Sequence, residues 1–323
     1  MATLSVGTTF QVERFADDVR LGLERPGQKE LPSKYLYDAV GSALFEVISV
    51  LPEYGLTRAG DRLLRRHAEE MVEPVRTPVL VAELGSGSAR NTRWLLQAAA
   101  RRGTVTYCPI DISTAALAHA ERELGRLEAV HVVGFEAEYL DGLETAVARR
   151  EPGQSLLVLF LGSTIGNFDR PAGGAFLAEV RRLMASGDHL LLSTDLEKPE
   201  DVLRPAYDDP VGVTAAFNLN LLARINRELD GDFLLSRFRH LVRWDAPARR
   251  IEMHLCSLRR QTVRIGRADL TVTLEEGETI WTESSHKFRI REVEAIGEAL
   301  GLAIEGQWVD REWPFAHTMF RLV

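Results

Sequence analysis

From residue 78 onward the chain alternates short apolar runs with helical stretches, and no other feature restricts its fold as strongly. The runs are Pro78–Glu83 (PVLVAE), Val105–Ile110 (VTYCPI), Ala129–Val133 (AVHVV), Ser155–Leu161 (SLLVLFL) and His189–Ser193 (HLLLS). Most are apolar throughout instead of alternating, as parallel strands covered on both faces must be. Between them, Thr92–Arg101 is rich in helix formers and Ser113 is placed to cap a helix over Thr114–Leu124. Phe176, Val180 and Leu183 fall on one helix face, and Ser186-Gly187 ends that helix before the next strand. Five such alternations predict a doubly wound α/β sheet with right-handed crossovers.

The flanks follow other rules. Residues 1–60 read as helical and loop-rich, without a glycine-rich turn. Residues 196–286 begin as a charged helix-loop region and end in alternating segments, Arg250–Leu255, Gln261–Ile265 and Leu270–Leu274. At 323 residues the chain is long for one core, so these flanks are expected to form a second domain together.

The net charge of -8 argues against broad contact with nucleic acid or an anionic membrane surface, both of which favour a basic face. Cys108 and Cys256 stand far apart, which fits a reducing compartment, and none of the eight histidines has metal-ligand spacing, so no metal is expected. The opening MATLSVGTTFQVERF lacks the pattern of a signal peptide. No apolar run approaches the roughly 18–20 residues that span a bilayer. These features predict a cytoplasmic protein acting as a monomer on a small molecule.

The first strand runs into Glu83-Leu84-Gly85-Ser86-Gly87-Ser88. Glycines at such a turn let a ligand approach the backbone, and open α/β sheets bind ligands at the carboxyl ends of their strands. Dinucleotide enzymes share a G-x-G turn, but here Arg90 stands where their third glycine would be. Asp111 ends the second strand, with a carboxylate able to accept from both hydroxyls of a ribose, and Glu138-Tyr139 follow the third, placed to meet an adenine edge. An acid after each of the first three strands is the arrangement expected of a class I methyltransferase, whose donor carries sulfonium and ammonium charges. The fourth strand enters a second glycine-bearing turn, Leu161–Asn167 (LGSTIGN), which reads equally well as a site beside the transferred methyl or as a tight turn closed by Asn167.

Longer blocks carry a more specific signal. LPSKYLYDAVGSALFEVISVLPEYGLTR (31–58), VAELGSGSARNTR (81–93), FLGSTIGNF (160–168), AYDDPVGVTAAFNLNLLARINREL (206–229), RIEMHL (250–255) and TESSHKF (282–288) resemble the histidine Nα-methyltransferases of ergothioneine biosynthesis. The resemblance extends from about residue 17 to the C-terminus. It implies a Rossmann-like class I methyltransferase sheet, residues 61–195 and 287–323. It also implies a second, α+β substrate-binding domain made of the N-terminal segment and a late insertion, residues 1–60 and 196–286.

The implied reaction is S-adenosylmethionine-dependent trimethylation of the α-amino group of L-histidine, giving hercynine. By the same resemblance Glu283 and Ser285 bind the imidazole, Asn167 and Tyr207 hold the carboxylate, and Met253 packs near the side chain. Tyr37 and Tyr54 surround the amino group as the catalytic pair, with Tyr54 also a substrate contact. Gly162 and Phe45 leave room for the added methyls. Cofactor contacts fall on Gly85, Ser86, Gly87, Asn91, Asp111, Glu138 and Tyr139, joined by Tyr37 and Phe45. Asn91 stands where the family often has lysine, and Glu138 where aspartate is expected, so the hold on the cofactor's methionine end and the reach of the acid at 138 both differ.

The residues by themselves also admit an Nα-methyltransferase for another aromatic amino acid such as tryptophan, or a non-catalytic protein binding S-adenosylmethionine or an amino acid. The pair Glu283 and Ser285 favours histidine. An imidazole offers an N–H and a second nitrogen, whereas an indole offers one N–H alone.

Overall fold

The computed structural model describes residues 5–323, with side chains from residue 12. Two compact units emerge: the chain up to Glu53 with Pro199–Ser285, and Tyr54–Lys198 with His286–Val323. The first break falls ahead of the helix Gly55–Val72, because that helix buries Leu64, Ala68, Met71 and Val72 in a core of the larger unit.

The larger unit is a sheet of β1 (Val79–Leu84), β2 (Val105–Asp111), β3 (Val130–Val132), β4 (Ser155–Phe160), β5 (His189–Asp195), β6 (Leu302–Asp310) and β7 (Phe315–Leu322). Their order is β3-β2-β1-β4-β5-β7-β6, and the short strand Phe135–Glu136 pairs beside the end of β2. β1 to β5 pair in parallel, while β7 runs antiparallel to both β5 and β6. Every residue of β1, β4 and β5 is buried, which explains their unbroken apolar runs.

Strand alternation divides β1 between two cores. Leu80 and Ala82 join Phe160, Phe176 and Phe320 on one face, while Val79 and Val81 join Tyr107, Leu191 and Met319 on the other. The helix Thr114–Leu124 begins where Ser113 accepts from the Ala116 amide. Strand order reverses beside β1, at the boundary with β4, so the carboxyl ends of β1, β2 and β4 surround the switch point where such sheets bind ligands.

The smaller unit holds a four-stranded sheet in the order Lys29–Glu30, Thr279–His286, Arg250–Ser257, Phe238–Asp245, and a two-stranded ribbon, Gln261–Ile265 with Leu270–Leu274. Its helices include Ala39–Ile48, Glu200–Tyr207 and Val213–Leu229. Asp38 caps the first of these through the Gly41 amide at 2.7 Å and accepts from Asn220 at 2.7 Å, which ties it to the last. Among the described residues no helix is long and apolar enough to cross a membrane.

Candidate active site

At the end of β1, Gly85 adopts φ +73° and Gly87 φ +50°, backbone states that side chains rarely tolerate. A Cβ on Gly85 would also stand 3.2 Å from the Tyr139 ring, so the absence of a side chain lets Tyr139 pack over the turn. Tyr139 opens the helix Tyr139–Val147 directly after Glu138, and its ring meets Phe160 edge-on at 5.7 Å. Asp111 joins the ends of β1 and β2. The Gly87 amide donates to its Oδ2 and the Ser113 amide to its Oδ1, both at 2.9 Å.

Burial raises the Asp111 pKa, and those amides pull it back down. Each oxygen keeps a lone pair for a further donor. Ser86 is buried, and its Oγ has no hydrogen-bond partner. An unpaired hydroxyl, a carboxylate with spare acceptor capacity and open space above Gly87 together fit the ribose hydroxyls and cationic end of S-adenosylmethionine.

Glu83 corrects the expectation of an acid exposed after each of the first three strands. It is only 3% exposed, accepts from Thr92 Oγ1 at 2.7 Å and from the Tyr107 hydroxyl, and burial pushes its pKa up to about 7. It is therefore a largely protonated structural group that ties the start of the next helix to β1 and β2, and it contributes little negative charge to the turn. A carboxylate inside an otherwise apolar run was the available signal.

The turn after β4 places Gly162 at φ +68° and Ser163 at φ +58°. A left-handed serine costs about 1–2 kcal/mol. Ser163 is held there by the Asp195 amide, which donates to its Oγ at 2.8 Å. Asn167 ends the short 3-10 helix Thr164–Asn167 that follows. Against this turn lies His286, whose Nδ1 is 2.9 Å from the Gly166 carbonyl oxygen, so this buried histidine is structural.

In the smaller unit Glu283 and Ser285 lie two residues apart on one strand and so share a face. The Tyr37 hydroxyl is 3.5 Å from Glu283 Oε1, and the Tyr207 hydroxyl is 2.7 Å from Ser285 Oγ. Tyr37 packs at 5.5 Å from both Phe45 and Phe217. Met253 is buried in the neighbouring strand, where its carbonyl accepts from Thr282 Oγ1 at 3.0 Å.

Tyr37, Phe45, Tyr207, Met253, Glu283 and Ser285 thus belong to the smaller unit. Tyr54, Gly162, Asn167 and the glycine-turn residues, with Asn91, Asp111, Glu138 and Tyr139, belong to the larger. The described residues contain no cluster of histidine, cysteine, aspartate or glutamate able to hold a metal ion.

A sheet in the order 3-2-1-4-5-7-6 with its seventh strand alone antiparallel, a glycine turn after the first strand and a ribose-type carboxylate after the second define a class I methyltransferase. Residues 15–322 match a family described as histidine-specific, S-adenosylmethionine-dependent methyltransferases. The chain is 43% identical to the histidine N-alpha-methyltransferase of Mycobacterium tuberculosis over 92% of each chain. It is 40% identical to the enzyme of that name in Mycolicibacterium smegmatis, over 95% of this chain and 96% of the other. A more distant relative, the L-tryptophan methyltransferase of Psilocybe serbica, is 27% identical over 90% of this chain and 87% of its own. This chain belongs to the histidine-specific methyltransferase family, whose cofactor is S-adenosylmethionine.

Proposed function

We propose that the protein transfers methyl groups from S-adenosylmethionine to the α-amino nitrogen of L-histidine, three times in succession, giving trimethylhistidine for ergothioneine biosynthesis. The observation that carries the choice of substrate is the pair Glu283 and Ser285 on one strand face, each within reach of a tyrosine hydroxyl. A carboxylate removed from water without a donor costs several kcal/mol, on the order of 2–7. An imidazole N–H supplies that donor, and its other nitrogen meets Ser285. Indole satisfies the first contact and leaves the second unmade.

In this reading Asn167 and Tyr207 hold the histidine carboxylate, and Met253 lies beside the ring. Gly85, Ser86, Gly87, Asn91, Asp111, Glu138 and Tyr139 hold the cofactor, with Tyr37 and Phe45 contributing. The larger unit is the methyltransferase domain and the smaller one the substrate domain. The cofactor supplies a methyl on a sulfonium, whose sulfur departs as a neutral thioether. An α-amine with a pKa of about 8 is mostly protonated at neutral pH, so the nitrogen must shed a proton before it attacks. Tyr37 and Tyr54 orient the amine and pass that proton toward water, and alignment of nitrogen, carbon and sulfur provides most of the acceleration. Gly162 and Phe45 leave space for the second and third methyls. We further propose a cytoplasmic monomer, in keeping with two buried, unpaired cysteines.

Incubation with S-adenosylmethionine and single amino acids, read by mass spectrometry, tests the assignment. Three methyl additions on histidine are expected. Turnover of tryptophan with none of histidine would overturn it.

A further inference from the structure

The chain passes between its two units after Glu53, after Lys198 and after Ser285, and within the larger unit all three passages lead to one carboxylate. Asp195 ends β5 and is fully buried. Lys198, the last residue before the second passage, places its Nζ 2.6 Å from Asp195 Oδ1. Lys287, the second residue after the third passage, is fully buried and places its Nζ 2.8 Å from Oδ2. The Trp313 indole donates to Oδ1 at 3.0 Å, and its ring occupies the space next to Gly55, where a Cβ would come within 2.2 Å. Gly55 is the second residue after the first passage.

The backbone repeats the pattern. The Phe288 amide donates to the Asp195 carbonyl at 2.9 Å, and the Glu197 amide donates to the Phe288 carbonyl at 3.0 Å. The two later passages therefore run side by side in parallel register, bridged between Leu196 and Phe288. Two ammonium groups share one buried carboxylate, a costly arrangement. Part of the excess charge is met by the Leu196 carbonyl, 2.6 Å from Lys198 Nζ, and by the Trp313 ring beneath it at 4.8 Å. Asp195 also holds the turn that carries Asn167, through its amide to Ser163 Oγ.

We propose that Asp195 is a positioning residue for histidine binding, fixing both the turn that presents Asn167 and the chain that runs back from Lys287 into Ser285 and Glu283. This rests on the histidine-site reading above. Asp195 touches no substrate in this account. It sets the register of groups that do, and small displacements of such groups are costly.

The test compares Asp195→Asn, Lys198→Met and Glu283→Gln in the full chain, with steady-state kinetics for histidine, calorimetric binding of S-adenosylmethionine and a thermal melt. For Asp195→Asn the histidine KM should rise about tenfold, with S-adenosylmethionine affinity held within about twofold. Lys198→Met leaves a one-to-one pair of Asp195 with Lys287, folds where Asp195→Asn fails, and should raise the histidine KM by about threefold. A merely structural role would lower the melting temperature and the active fraction while leaving the histidine KM of the folded enzyme unchanged. That result, in Asp195→Asn or in Lys198→Met if the first does not fold, overturns the proposal provided Glu283→Gln weakens histidine binding. If Glu283→Gln also leaves histidine binding intact, the histidine-site reading itself falls and the proposal falls with it.

Discussion

The acids of the larger unit and the acid of the smaller unit are held by different means. Asp111 is gripped by amides 24 and 2 residues away, Gly87 and Ser113, both belonging to the elements that β1 and β2 feed. Glu83 is likewise met by Thr92 and Tyr107, 9 and 24 residues away. Glu283 instead stands near a tyrosine 246 residues distant, and its neighbour Ser285 contacts one 78 residues distant. A cofactor turn can be built locally and recur in many proteins of this class. A substrate site assembled from distant segments is free to change, which fits the presence of histidine and tryptophan enzymes among this chain's relatives.

The sharpest way to break this comparison is to remove the long-range acid. Glu283→Ala should cost about 4 kcal/mol in histidine binding, near a thousandfold, because it strips a charged partner from a desolvated donor. Calorimetry should find S-adenosylmethionine affinity nearly unchanged, and a joint loss of both ligands would erase the distinction.

The next largest effect separates Glu83 from Asp111 by pH. The folded state raises the Glu83 pKa from 4.5 to about 7, so it retains a proton that the unfolded chain releases. Stability from this group is complete below pH 4.5 and fades as the pH climbs through 7, by about 3 kcal/mol in all. Glu83→Gln keeps a hydrogen-bonding side chain without the titration, so denaturation midpoints measured between pH 5 and 8 should lose that component of their slope, on the order of the same few kcal/mol. An unaltered slope would show that Glu83 is ionised in the fold.

Asp111→Ala should weaken S-adenosylmethionine by about 2 kcal/mol and spare histidine, the reverse of the Glu283 result. The smallest effect belongs to Ser285→Ala, about 1 kcal/mol on histidine alone, the value of one neutral hydrogen bond. Titration calorimetry with each ligand separates the two, and equal losses in both would argue against distinct sites.

The legible parts of the fold share a physical cause. β1, β2, β4 and β5 were readable because burial on both faces demands continuous apolar runs, and observed ends depart from the expected ones by one or two residues. Phe238–Asp245 and Thr279–His286 escaped notice because their burial follows no clean period of two. β7 is almost wholly buried yet carries His317, Thr318 and Arg321, so it does not read as apolar. Its hydroxyl and imidazole are accommodated by partners such as Ser193, 2.8 Å from His317 Nδ1, which only the adjacency of β5 supplies.

By itself the sequence determined the parallel sheet, the glycine turn at β1 and the position of Asp111, because apolar runs and backbone freedom at glycine act over a few residues. The tertiary structure decided that Glu83 turns inward and keeps its proton, that Tyr207 meets Ser285, and that two lysines 89 residues apart share Asp195. Those outcomes depend on the loss of water around each group and on partners brought from remote parts of the chain, and neither is encoded in local spacing.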